Sequence, residues 1–283
     1  KPDLIHLCSS QPGAFFHHLT SQEVKIPVLF SVHEPPRLET KDHSLAALLM
    51  AGSDWVAAVS RAMLDRAREL VPSISDRSSV LYNGLRMPEL APALLPFSQP
   101  RLLCMGRMVP TKGFDVALRV LAELDSQHPN LRMILAGDGP ARSGLEQLAE
   151  KLGLVDRVEF TGWVPPDQIP ALLNRSTLLL VPSLWDEPFG LVALQAGQLA
   201  RPTVVTRVGG LPEIVEHGRT GFCVPINGSN VVKDMAGRVN HLLRHPELAT
   251  RMGLKARSHV MHHFGFKRML DELETIYARI TGA

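Results

Sequence analysis

Five stretches of the chain set charged, glycine or histidine residues where an α/β protein could grip an anion or a hydroxylated ligand. "MGRMVPTKGFDVAL" (105–118) places Gly106 and Arg107 at the end of a strand, and Lys112 and Gly113 at the start of a helix. Two cations beside free helix amides make an anion site, because a helix N-terminus already favours phosphate. Arg107 could hold phosphate oxygens bidentately while Lys112 supplies a point charge. A solvated loop with two ordinary basic residues fits this stretch equally well. "AGDGPAR" (136–142) is a second strand, glycine turn and helix, where open α/β sheets bind ligands. Arg142 stands where the third glycine of a dinucleotide fingerprint would be, so a structural turn is the better reading there. In "WDEPFGLVALQAGQ" (185–198), Glu187 and Gln195 fall on roughly the same side of a helix that starts near Phe189. A carboxylate so placed accepts hydrogen bonds from paired hydroxyls, as sugars present, or simply caps the helix. "VGGLPEIVEHG" (208–218) offers backbone amides at Gly209 and Gly210 before Pro212, a residue suited to a first helical turn; a tight turn needs the same glycines. His33 ends a strand in "LFSVHEPP", where a lone histidine is more often structural than catalytic; His17, His18, His262 and His263 read as surface residues without metal partners.

The elements that must position these residues alternate in an α/β pattern. From residue 101, "RLLCMG", "LRMILAG", "RVEFTG", "TLLLVP", "PTVVT" and "GFCVP" read as strands. Between them lie helices, including "FDVALRVLAELDSQ" with Val116, Val120, Leu121 and Leu124 on one face. Ser143 and Glu146 have capping-box spacing before "SGLEQLAEKLG", and Gly153 stops that helix. Earlier, "DLIHLC", "PVLFSVH", "WVAAVS" and "SVLYNG" are four further strands separated by helical segments. "RMPELAPALLPFSQP" (86–100) carries four prolines and no helical or strand period, and reads as a linker or hinge. The expected organisation is a partial N-terminal Rossmann-like domain over 1–90, a second Rossmann-like domain over 101–262, and a C-terminal helix at 263–283 whose stripe of Met269, Leu273, Ile276 and Ile280 docks on the first domain.

Bulk properties narrow the function. The chain has 283 residues, 45% apolar and 20% charged, with a net charge of +2 and the two signs interspersed, so no basic stripe points to nucleic acid. Cys8, Cys104 and Cys223 are far apart, lack metal-ligand spacing and read as reduced core thiols of a cytoplasmic protein. Apolar runs are too short to span a membrane, which leaves peripheral membrane contact open. The chain opens at Lys1 without a Met or a signal pattern, and is expected to begin inside a larger protein.

Taken in order, "PDLIHL", "VLFSVHE", "SDWVAAVSRAM", "VLYNGL", "GRMVPTKGFDVAL", "LAGDGP", "RVEFTGWV", "VPSLWDEPFGLVAL" and "RPTVVTRVGGLPEIVEHGRTGFCV" resemble the retaining glycosyltransferases of the GT-B fold, specifically glycosyltransferase family 4, the group 1 glycosyltransferases. The resemblance implies an α/β protein of two Rossmann-like domains, the N-terminal one incomplete. It implies transfer of a sugar from a nucleoside diphosphate donor to an acceptor hydroxyl, the acceptor being a saccharide, lipid or small molecule, with no cofactor and no metal. By the same resemblance Gly106, Arg107 and Lys112 hold the donor diphosphate. Glu187 contacts the transferred sugar. Phe189, Gly190 and Leu191 complete the pocket with backbone amides, and Gln195 faces the ribose. Gly137, Trp163 and Val164 lie beside the base, and His33 reaches the reaction centre. Gln195 departs from the family, which has a second glutamate there. That departure and the short first domain keep a second reading in view, a non-catalytic nucleotide-sugar-binding module, and behind it a nucleotide-sugar 2-epimerase-like isomerase.

Overall fold

The structure is a computed structural model, and its described residues are 2–9, 21, 23, 25–35, 45–226 and 230–282. His17 and His18 lie outside them. The chain divides into two compact units, one of 1–84, 187–189 and 264–283, the other of 85–186 and 190–263.

The first unit is built on a four-stranded parallel sheet in the order β1 (Ile5–Leu7), β2 (Val28–Val32), β3 (Trp55–Ala58) and β4 (Ser78–Val80). Leu29 pairs with Trp55, and Ala57 with Ser79. Strands β2 and β3 are buried at every position, which is why they read as continuous apolar runs rather than alternating ones. Helix α1 (Leu45–Gly52) precedes β3, and α2 (Arg61–Leu70) follows it. Ser60 caps α2 by accepting the Met63 N–H at 3.2 Å, and Met63, Leu64, Ala67 and Leu70 form its buried face. The last helix of the chain, called α10 below (Phe266–Thr281), belongs to this unit. Ile276 is buried with Leu29, Trp55 and Ala57, flanked by Leu273, Tyr277 and Ile280, and the Met269 sulfur accepts the Gly84 N–H.

The second unit carries six parallel strands, β5 (Arg101–Met105), β6 (Arg132–Ala136), β7 (Val158–Gly162), β8 (Leu178–Val181), β9 (Thr203–Thr206) and β10 (Gly221–Val224), in the order β10-β9-β8-β5-β6-β7. The helices are α3 (Phe114–Glu123), α4 (Arg142–Lys151), α5 (Ile169–Asn174), α6 (Leu191–Gln198), α7 (Leu211–Ile214), α8 (Val231–Arg244) and α9 (Pro246–His263). Val116, Val120, Leu121 and Leu124 are all buried, in one core with Leu102, Leu135, Leu178, Met235 and Val239. Each such side chain stabilises the fold by about 1.5–3 kcal/mol relative to exposure.

Three details differ from the sequence reading. The helix α4 begins at Arg142, so Ser143 is already inside it and caps nothing; Ala141 holds the cap position without a side-chain bond. Cys8 is exposed, whereas Cys104 and Cys223 are buried; desolvation raises both buried thiols, Cys223 to about 11. Residues 86–100 are a strap along the second unit rather than a loose linker. Asn174 accepts the Ala93 N–H at 3.0 Å and donates to the Ala91 carbonyl at 2.9 Å. Gln198 donates to the Arg86 carbonyl at 3.0 Å. Fully buried Arg201 donates to the carbonyls of Ala93, Ser176 and Leu199 and to the Asn174 amide oxygen. Desolvation lowers its guanidinium to about 10.

Candidate active site

In the second unit the strand order reverses between β5 and β8, which opens a crevice at their carboxyl ends, the place where open α/β sheets take ligands. The loop after β5 holds Gly106, Arg107 and a short 3₁₀ turn, Pro110–Lys112, and Gly113 then leads into α3. Gly113 has φ +68°, and a methyl group added there would lie 2.0 Å from the Pro182 carbonyl oxygen. Only glycine allows that approach. Leu184 N–H donates to the Thr111 carbonyl at 2.8 Å, so the loops after β5 and β8 are joined on both sides of Lys112. The Lys112 ammonium sits over the Trp185 ring, 5.4 Å from its centroid. Arg107 is exposed and makes no ion pair among the described residues. No side chain caps α3, so its first amides stay available to an anion.

The loop after β6 is joined to the same edge. Met108 N–H donates to the Asp138 carbonyl at 2.8 Å, and a methyl group on Gly137 would lie 1.9 Å from the Gly106 carbonyl oxygen. Here the basic residue is committed: Arg142 pairs with Asp138 at 3.3 Å and with Glu146 at 2.9 Å. The arginine of "AGDGPAR" is therefore taken up by carboxylates of its own loop and helix. Gly137 N–H donates to the Gly162 carbonyl at 2.8 Å, which sets it beside the end of β7, where Trp163 and Val164 follow. The Trp163 ring is 70% exposed, an uncovered aromatic face.

The helix α6 starts at Leu191, directly after Gly190, and Leu191 is exposed. Gln195 lies one turn on and is half-buried. It lines a cavity of about 760 Å³ within the second unit, together with Arg86, Glu89, Asp167 and Gln198. Glu187 and Phe189 group with the first unit. The Phe189 side chain is buried edge-on against Phe264 and beside Tyr82, and Pro188 accepts the Ser60 hydroxyl at 2.7 Å. Phe189 thus has only its backbone to offer a ligand. His33 follows β2 as a partly exposed residue; desolvation by the surrounding protein outweighs Glu34 and sets its imidazole below the ordinary histidine value.

The structure thus brings Gly106, Arg107 and Lys112 together at one switch point, and Gly137, Trp163 and Val164 along the neighbouring edge. Gly190 stands at the N-cap of α6, which carries Leu191 and Gln195, while His33, Glu187 and Phe189 belong to the other unit. Two residues escaped the sequence reading. Trp185 needed the fold to bring it to Lys112. His6 bonds Ser31 at 2.7 Å and Tyr277 at 2.8 Å, the latter 271 residues away, and no local pattern signals that contact. Among the described residues no group of three His, Cys, Asp or Glu side chains could hold a metal ion.

Two parallel sheets, the second with its crevice at the β5–β8 switch point, define a GT-B-type α/β protein. The solved structures of HepE from Anabaena with UDP-glucose and of sucrose-phosphate synthase from Thermosynechococcus elongatus share the fold. The first has a TM-score of 0.82 at 23% identity, covering 96% of this chain and 79% of that one. The second has a TM-score of 0.83 at 21% identity, covering 99% and 74%. Residues 91–259 match the family described as glycosyl transferases group 1. N-acetyl-alpha-D-glucosaminyl L-malate synthase of Bacillus anthracis is 30% identical over 97% of this chain and 74% of its own length. Alpha-D-kanosaminyltransferase of Streptomyces kanamyceticus is 28% identical over 97% and 76%. The chain belongs to the group 1 glycosyl transferase family and is a glycosyltransferase.

Proposed function

We propose that the protein binds a nucleoside diphosphate sugar through Arg107, Lys112 and the first amides of α3, and moves the sugar to an acceptor hydroxyl with retention of configuration. The observation that carries this reading is the switch-point loop, where two cations and an uncapped helix start are held by the joined loops after β5 and β8. HepE, of like fold, is described in complex with UDP-glucose and with UDP and glucose, which supports a donor of this class.

Breaking the glycosidic bond leaves negative charge on the departing diphosphate. Fixed cations and helix amides stabilise that charge without reorganising, so in this reading they supply what a metal ion would supply elsewhere. The ribose lies toward Gln195 and its cavity, and the base toward Gly137, Trp163 and Val164. Glu187 orients the sugar by accepting from its hydroxyls, and Gly190 and Leu191 contribute amides. His33 serves the reaction centre. The acceptor is a saccharide, lipid or small molecule bearing a free hydroxyl. No helix among the described residues is long and apolar enough to cross a membrane.

Gln195 favours a second reading, a module that binds the donor without turning it over, because an amide grips ribose hydroxyls more weakly than a carboxylate. A calorimetric and thermal-shift screen of UDP-, GDP- and ADP-sugars tests the first reading. Stabilisation by one donor class that disappears in Lys112→Ala supports it, and no response to any donor overturns it. Following donor consumption alongside transfer separates enzyme from module.

A further inference from the structure

One side chain at the switch point has no role in the reading above. Trp185 sits in the loop after β8, in "SLWDE", with its ring under the Lys112 ammonium at 5.4 Å. Its Nε1–H is buried and has no hydrogen-bond partner among the described residues. The two facts bear on each other. A tryptophan retained for packing normally turns its N–H to an acceptor or to water, since an unmade buried donor is costly. Here the ring forgoes that bond and presents its face to a cation, and the indole face attracts cations more strongly than those of Tyr or Phe. The backbone on either side is fixed as well. Leu184 N–H is bonded to Thr111, and the Pro182 carbonyl leaves room only for a glycine at 113, so ring and lysine keep their register.

We propose that Trp185 is a positioning residue that seats the Lys112 ammonium for the donor diphosphate. The inference rests on Lys112 being a diphosphate ligand. A lysine side chain is long and flexible, and ordering it on arrival of the ligand subtracts from affinity. A ring orders it beforehand. Trp185 acts through Lys112 and needs no contact with the donor.

The test is UDP binding by calorimetry to the wild type, Lys112→Ala, Trp185→Leu, Trp185→Phe and the Lys112→Ala/Trp185→Leu double variant, each checked by thermal melting. Trp185→Leu is expected to weaken UDP about threefold to thirtyfold. It should add nothing once Lys112 is gone, because the two residues act as one unit. Trp185→Phe keeps a ring face and removes the orphan donor, so it should hold most of the affinity and melt no lower than the wild type. In the transfer assay the Leu variant should move donor KM more than kcat. If the wild type does not bind UDP, or Lys112→Ala binds it unchanged, the diphosphate reading and this inference fall together. If Trp185→Leu binds like the wild type, or weakens binding equally without Lys112, this inference falls alone. A readout that needs no Trp185 variant is the carbon-13 methyl signal of reductively methylated Lys112, identified by its loss in Lys112→Ala. It should be shifted upfield by the indole ring current and move when UDP is added; a signal among those of surface lysines overturns the proposal.

Discussion

The loops after β5 and β6 are built to one plan, a glycine turn from strand to helix with a basic residue close by, and they have opposite electrostatic outcomes. After β6 the arginine is spent: Arg142 is held by Asp138 and Glu146. After β5, Arg107 stands at solvent without an ion pair among the described residues, and Lys112 lies over the face of the Trp185 ring. A strand–glycine–helix pattern with a cation is therefore not an anion site by itself. What decides is whether the basic residue is held by carboxylates of its own loop, as Arg142 is by Asp138 and Glu146 and as Arg107 is not.

That contrast can be broken most sharply at the cations. Lys112→Ala should cost on the order of 10²-fold in kcat/KM for the donor, in line with removal of one preorganised charge-stabilising group. Arg142→Ala should change it by less than about threefold, as expected for surface ion pairs of little net worth. Steady-state kinetics with a responsive donor gives both values, and equal losses would erase the distinction between the loops.

Next in size is a pair of glycines. Gly113→Ala places a methyl group 2.0 Å from the Pro182 oxygen at φ +68°, and should destabilise the protein by about 2–4 kcal/mol in urea melts. Gly144→Ala, exposed near the start of α4 with no atom within 4 Å of the added group, should stabilise it by up to about 1 kcal/mol. Similar costs at the two positions would mean that the join between the β5 and β8 loops is not tight.

A smaller effect is expected at Gln195. Gln195→Glu should lower donor KM by about twofold to tenfold, because a carboxylate accepts a hydroxyl hydrogen more strongly than an amide does. An unchanged or raised KM would remove Gln195 from the ribose site.

The smallest concerns pH. Desolvation, and then the charge of His33, set His6 below the ordinary histidine value of 6.5, so the fold prefers the neutral ring. Above that value both folded and unfolded chains hold it neutral. As the pH falls below 6.5 the unfolded chain takes up the proton first, and stability declines until the folded His6 also protonates. Melting temperatures measured from pH 8 to pH 5 should show a modest fall, flatter in His6→Gln; an identical slope in the variant would assign the effect to other groups.

Much of this architecture is legible in the residues because buried parallel strands are continuous apolar runs. "RLLCM", "MILA" and "LLLV" announce themselves without their partners, and so does the docking stripe of α10. The loop after β5 is legible to the extent that its cations and glycines are adjacent in sequence. What is hidden depends on distant pairs. Trp185 acquires meaning only when β5 and β8 become neighbours, and His6 only when Tyr277 folds back beside it. The capping box misleads because Ser143 matches the spacing while α4 starts one residue earlier, where Arg142 gains a partner at Glu146. The strap misleads because prolines erase periodicity, and its attachment runs through side chains of Asn174, Gln198 and Arg201, 81 to 112 positions further on.

That strap bears on how the second unit could be handled alone. Cut by its strand pattern at Arg101, the unit would lose the carbonyl of Ala93 and leave the fully buried Arg201 guanidinium short of an acceptor. The groove occupied by Leu95 and Phe97 against the main core would also stand open to water. A cut before Leu85 keeps both seals. The boundary of the second unit is thus set by a proline-rich stretch that has no helix or strand period of its own.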